Sequence, residues 1–273
     1  MPASRSPRRG AEPAAHPRSP WPLILLIGIA AIVAAVAALP ASIVVHFLPP
    51  TVVAGDFSGS LWHGSAGRIT VDGRDAGALE WRLQPAALLG MTLSTELHWV
   101  KVGFVIDAAV TIDRHGFAAR DIKGGGPIED LVGLGVAAGW RGAADIHLDA
   151  LRGSFRQPFA VGDIGAAGDI KVSNLAGAQV AGGADLGGYD LRFVQAPPGA
   201  GDSLDAQLTD TGGPLAVQTT IHYAAQERTA TLSGTVRERP DAPPALLAQL
   251  QNLSQLRGRD AQGRIPVDLE FTL

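Results

Sequence analysis

From Ile69 to the C-terminus, apolar and polar residues alternate with period two in one short segment after another. Successive side chains of a strand point to opposite faces, so such segments make strands with one dry and one wet face. Leu79, Trp81 and Leu83 alternate with Glu80, Arg82 and Gln84, and Leu93, Leu97 and Trp99 oppose Ser94, Glu96 and His98. Phe104, Ile106, Val110 and Ile112 stand against Asp107, Thr111 and Asp113. The pattern returns at Ile146/Leu148, Ile170/Val172, Tyr189/Leu191/Phe193, Leu204/Leu208 and Leu215/Val217/Ile221/Tyr223. It closes the chain on Ile265, Val267, Leu269, Phe271 and Leu273. Gly, Asp and Asn separate these segments, which predicts short strands in an antiparallel sheet rather than βαβ units. Only two stretches break the rhythm. Gly126 to Val136 reads as a short helix or turn. Pro244 to Leu256 places Leu246, Leu250 and Leu253 at helical spacing and predicts a helix lying along the sheet.

Upstream of the alternation, Leu23 to Leu39 reads LILLIGIAAIVAAVAAL, without a charged or strongly polar residue. Apolar character resumes after Pro40 at Ile43, Val44 and Val45. About 20 apolar residues cross a hydrocarbon core of roughly 30 Å. Four arginines (Arg5, Arg8, Arg9, Arg18) and one acid (Glu12) precede the run, which orients the N-terminus to the cytoplasm. The expected organisation is a cytoplasmic tail over 1–20, an anchor over 21–45 and an exported domain over 46–273. A cleaved signal peptide competes, since Ala38 to Ser42 offers small residues, but the apolar region and basic region are both long for one. The fold class expected is therefore mainly β: a single N-terminal transmembrane helix, then a curved antiparallel sheet with one or two short helices. Cysteine is absent, which excludes thiol nucleophiles, Cys-based zinc sites and disulfides. With four of the 22 basic and one of the 26 acidic residues lying before His46, the exported part is acidic by about seven charges. No basic stripe interrupts it, so neither nucleic acid nor anionic headgroups are expected partners of the exported part.

Three signals look chemical. Gly201-Asp202-Ser203-Leu204 spells a serine-esterase motif, but it follows a proline-rich loop, and the one later histidine, His222, lacks the expected upstream aspartate. Without a base the hydroxyl is not activated, so the stretch is read as a turn into the strand Leu204 to Leu208. Gly133 to Ala138 fits a loose dinucleotide pattern without the strand, long helix and parallel sheet it needs, and is read as a glycine-rich turn. Histidines 46, 63, 98, 115, 147 and 222 are scattered; His98, His147 and His222 fall on wet faces. No catalytic or metal-binding constellation emerges, and no cofactor is expected.

The window GDFSGSLWHGSAGRITVDG, residues 55 to 73, departs from the alternation. Gly59, Gly64 and Gly67 permit tight or bulged backbone around Trp62. A large indole beside small residues fills a corner where backbone approaches closely; the alternative is an anchor for a partner. FSGSLWHGSAGRI followed by LEWRLQPAALLG, behind one apolar anchor, resembles the type II secretion system protein N family. Gly59, Trp62, Gly64 and Ala66 match that family's Gly-x-x-Trp-x-Gly-x-Ala unit. Leu79, Trp81, Leu83, Pro85, Leu88 and Leu89 match its Leu-x-Trp-x-Leu-x-Pro-x-x-Leu-Leu unit. Gly263-Arg264 before a last strand is similar to the family's ending. The basic tail is longer than the family pattern.

The resemblance implies a non-enzymatic accessory component of the type II secretion machinery of a Gram-negative bacterium. It would be held in the inner membrane by one span, with the β-rich domain in the periplasm. Its partners would be the inner-membrane platform, the outer-membrane secretin, or both. Gly59, Trp62, Gly64, Trp81, Leu83 and Pro85 become candidates for packing or partner contact. Two alternatives remain: a membrane-anchored carrier of lipid or another hydrophobic ligand, of AsmA-like type, if the dry face is uncovered, and an anchored hydrolase.

Overall fold

The computed structural model describes residues 38–156, 160–194, 203–224, 227 and 229–272. The tail and most of the expected anchor lie outside the described residues, and no described helix is long and apolar enough to cross a membrane. From Pro40 onward the chain forms one compact unit.

Among the described residues that unit forms a single open sheet of thirteen antiparallel strands, each hydrogen-bonded to its neighbours in chain order. They are β1 (Val52–Gly59), β2 (His63–Val71), β3 (Arg74–Leu83), β4 (Leu93–Lys101), β5 (Phe104–Ile112), β6 (Gly116–Pro127) and β7 (Trp140–Arg156). The remainder are β8 (Ala160–Gly177), β9 (Gly188–Val194), β10 (Ser203–Gly212), β11 (Leu215–Ala224), β12 (Thr229–Glu238) and β13 (Ile265–Thr272). One helix, α1 (Pro244–Arg257), interrupts the last connection. It starts with Pro inside its first turn, where the missing N–H costs nothing, and ends at Gly258 with φ 76°.

Register confirms the alternation as a property of faces. Trp81 lies opposite Leu97, Trp99 opposite Ile106, Ile146 opposite Ile170, Leu191 opposite Leu208, and Val236 opposite Ile265. The other face pairs basic with acidic side chains across strands: Arg82 with Glu96, His98 with Asp107, and His222 with Asp205. Such exposed pairs set register more than they add stability.

Two expectations are corrected. The strands are not uniformly short, since β7 and β8 form a hairpin of 17 and 18 residues. Asp and Asn signals that read as turns lie inside strands instead: Asp121 and Asn174 take left-handed φ of 52°, and register shifts by one residue near Asp149 and Asn174. These are bulges, which bend a strand without ending it. The alternation also starts earlier than Ile69, because β1 and β2 occupy the glycine-rich window. At 126–136 the chain makes a 3₁₀ turn, Ile128–Leu131, followed by left-handed Gly133 and Gly135, as the turn reading anticipates.

The sheet has two unlike ends. At the proximal end the chain enters, with Pro40 bridged to Ser60 beside the β1–β2 turn. A 3₁₀ turn, Ala41–Phe47, then packs on β1 and β2, with Ala41 only 2% exposed. Residues 40–45, the last part of the expected anchor, thus belong to the sheet domain. At the distal end α1 closes over the dry face. Leu246 and Leu250 bury against Leu186, Ala242 and Ile265, with Trp140, Tyr189, Leu215 and Val236 around them. A half-buried ion pair braces this end: Asp210 accepts from the Val217 N–H (2.7 Å) and holds Arg239, which also donates to the Gly213 carbonyl (2.9 Å). Burial pushes the neighbouring Tyr189 phenol above its ordinary pKa, and the Asp210 charge adds to it. Elsewhere the dry face has no second layer among the described residues. Phe104 and Ile265 are its fully buried large side chains, while Leu93, Leu269 and Phe271 stay exposed.

Both outer strands are blunted against pairing with another chain. β1 carries left-handed Asp56 in its middle. In β13, Pro266 lacks an N–H and the Asp268 carbonyl accepts from Arg257 of α1 at 3.1 Å.

Candidate functional site

The two tryptophan motifs, separated in sequence, fold into one object. β2 pairs with β3 so that Gly64 faces Trp81, Ala66 faces Leu79 and His63 faces Arg82. The Leu83 N–H donates to the Trp62 carbonyl at 2.7 Å, which joins the β1–β2 turn to the end of β3. Every glycine of the first motif has a steric reason. Gly59 has φ 79°, and a Cβ there would stand 2.3 Å from the His63 carbonyl oxygen. A Cβ on Gly64 would meet the Trp81 ring and the Ser60 carbonyl, each at 2.6 Å, and the Ala41 Cβ at 2.9 Å. Trp81 therefore lies in a space that Gly64 vacates.

The indole of Trp81 is satisfied on both its polar and apolar sides. Its Nε1–H donates to the Leu61 carbonyl (2.9 Å), and its ring meets Phe57 edge-on at 6.4 Å between centroids. Trp99 repeats the device one strand over, donating to the Ala76 carbonyl (2.6 Å) and packing on Phe104. Trp62 is half-buried in the bend between β1 and β2, Leu83 is half-buried and Pro85 is exposed at the start of a 3₁₀ turn. Sequence reasoning gathered the glycines and tryptophans but missed Phe57, Ala41 and the Leu61 carbonyl. Phe57, two residues before Gly59, was the one of these with a readable signal.

A concavity of about 480 Å³ opens at this unit. Gly59, Gly64, Trp81 and Leu97 line it together with the polar side chains His63, Glu80, Arg82, Glu96, His98 and Asp107. His98 Nδ1 and Asp107 Oδ1 are 2.6 Å apart, and Arg82 reaches Glu96 at 3.6 Å. A His–Asp pair orients an imidazole, yet the same pairing recurs at His222–Asp205 (2.7 Å) and His147–Asp145 (3.1 Å) along the wet face. Repetition at three places marks a way of hydrogen-bonding polar side chains along a sheet surface rather than one special site. Among the described residues, no group of three His, Cys, Asp or Glu side chains is arranged to hold a metal.

Gly201 and Asp202 lie outside the described residues, while Ser203 begins β10 opposite Ala224. Ser203, Asp205 and His222 share the wet face, but the recorded partner of His222 is Asp205, and no hydrogen bond joins it to Ser203. Ser203→Ala is expected to leave stability within about 0.5 kcal/mol and protein export unchanged, as read by denaturant midpoint and a secretion assay. Gly133 to Ala138 is a turn with a single Val132–Val136 bridge, not a strand–loop–helix cradle.

Comparison with curated proteins and with solved structures returns no match. The family model described as Type II secretion system (T2SS), protein N, matches residues 50–268, the extent of the sheet from β1 into β13. With that match over most of its length, and with both tryptophan units joined in one strand pair, the chain belongs to the type II secretion system protein N family.

Proposed function

We propose that this type II secretion component works without chemistry of its own, as a single-pass inner-membrane protein. In this reading its sheet stands in the periplasm and contacts the inner-membrane platform, the outer-membrane secretin, or both, while folded cargo crosses the outer membrane. One observation carries the proposal. The residues that define the family motif are engaged in holding β1, β2 and β3 together rather than in presenting reactive groups. The arginine bias before Leu23 and the apolar run to Leu39 supply the orientation. Half-buried Trp62 and exposed Pro85 are the proposed contact residues, while Gly59, Gly64, Trp81 and Leu83 position them.

The part of the dry face that carries no second layer among the described residues is a feature a hydrophobic-ligand carrier would also need. The family match favours secretion, so the carrier reading is not adopted. Topology is tested by fusing, after Leu273, a reporter that is active only in the periplasm. Activity in intact cells is expected; a reporter active only in the cytoplasm overturns the orientation.

A further inference from the structure

The guard on β13 covers only its first half. Pro266 lacks an N–H, and Arg257 of α1 donates to the Asp268 carbonyl at 3.1 Å. Asp268 therefore turns its main chain away from β12. Outward-facing residues alternate along an antiparallel strand, so Glu270 also turns its N–H and carbonyl outward. Among the described residues nothing bonds to the Glu270 main chain on that side.

The side chains of this half lack a neighbour on both faces. Leu269 and Phe271 lie on the dry face opposite Leu232 and Ala230, yet are 43% and 48% exposed. Leu256, the residue before Arg257 in α1, is 83% exposed. On the wet face of the inner strands, acids stand between bases. Asp107 lies between His98 and Lys123, and Asp169 between His147 and Arg192. The same transverse row reaches β13 at Asp268, which faces neutral Ser233, and Glu270 faces neutral Thr231. Among the described residues neither carboxylate has an ion pair, and the Arg257 guanidinium is engaged with main chain. The opposite outer strand differs: on β1, Asp56 pairs with Arg68 at 3.9 Å, and its left-handed φ interrupts the edge midway.

A strand added at Glu270 would complete this half if it brought apolar side chains to Leu269 and Phe271 and basic ones to Asp268 and Glu270. A second copy does not fit that description. Two β13 edges would set acid against acid, and β1 offers Asp56 and no base. The exported part is acidic by about seven charges, so its long-range field also steers a basic partner.

We propose that the outer half of β13, Asp268 to Thr272, takes up an extended segment of another secretion component as a further strand. That segment alternates basic residues, on the wet face, with apolar residues on the dry face. This deepens, and rests on, the reading that the sheet acts by contact with other secretion components.

The test uses the full chain in a non-ionic detergent and three synthetic peptides. One alternates lysine with valine, one alternates glutamate with valine, and one has the lysine–valine composition in two blocks. Only the first should slow hydrogen exchange at the Asp268 and Glu270 amides. Asp268→Lys combined with Glu270→Lys should weaken its binding about tenfold and admit the glutamate–valine peptide. Glu270→Pro, which removes an outward N–H and leaves the β12 ladder intact, should weaken binding too. In cells, the double lysine variant should retain an exported hydrolase in the periplasm. No protection by any peptide, or equal protection by the lysine and glutamate peptides or by the block peptide, overturns the proposed strand pairing. Selective protection with normal export in the double variant overturns the edge as a secretion contact. The secretion reading itself falls only if deletion of residues 46–273 also leaves export unchanged.

Discussion

Trp81→Ala destabilises the sheet domain by about 3 kcal/mol or more, near the lower end for truncating an aromatic side chain because the indole is only partly buried. Three losses combine. The Leu61 carbonyl loses its indole donor, Phe57 loses its edge-on neighbour, and the space over Gly64 is left empty. Trp81→Phe separates them, since it keeps a ring and removes the N–H, and should cost about 1 kcal/mol relative to wild type. Urea unfolding followed by tryptophan emission reads both. An unchanged midpoint for Trp81→Ala would show that the indole is dispensable for packing, and Trp81 would then become a candidate partner contact.

Gly64→Val is expected to be nearly as damaging. The added Cβ alone meets the Trp81 ring and the Ser60 carbonyl at 2.6 Å and the Ala41 Cβ at 2.9 Å, and two of these three neighbours are not flexible side-chain tips. Overpacking of this kind typically costs about 1–3 kcal/mol; here the strand pair β2–β3 and the Pro40–Ser60 bridge are displaced together, so the upper end is expected. Combining Gly64→Val with Trp81→Ala should cost less than the sum, because the ring clash disappears while the Ser60 and Ala41 clashes stay. Strict additivity would contradict the view that Gly64 exists to admit the indole.

The dry and wet faces were legible because the period of a strand is two whatever its neighbours do. Val217, Ile221 and Tyr223 needed nothing else to be assigned to one face. The helix was legible for the same reason at its own period, with Leu246 and Leu250 buried as their spacing implies. Bulges were not legible, because Asp121 and Asn174 bring the same side-chain chemistry to a bulge as to a turn, and only the register of the partner strand distinguishes them. β1 was hidden for a related reason. In GDFSGS the alternation is carried by glycine, and a glycine has no side chain to mark its face. Of the candidate site, the residues were legible one by one, whereas their union across β2 and β3 was not. That union depends on Gly64 facing Trp81 across a register with two shifts, near Ile69, which local sequence does not encode. The covering of the dry face was equally out of reach, since it depends on where one helix lands.

The most direct measurement of the central claim is the fate of an exported hydrolase in cells lacking residues 46–273. Translocation across the inner membrane precedes this machinery, so the enzyme should still reach the periplasm and fold there. Fractionation should then find active enzyme retained in the periplasm and depleted from the medium, or released more slowly if the component is accessory. Unchanged export, combined with altered outer-membrane lipid composition or detergent sensitivity, would contradict the secretion role and point to a carrier working on the open apolar face.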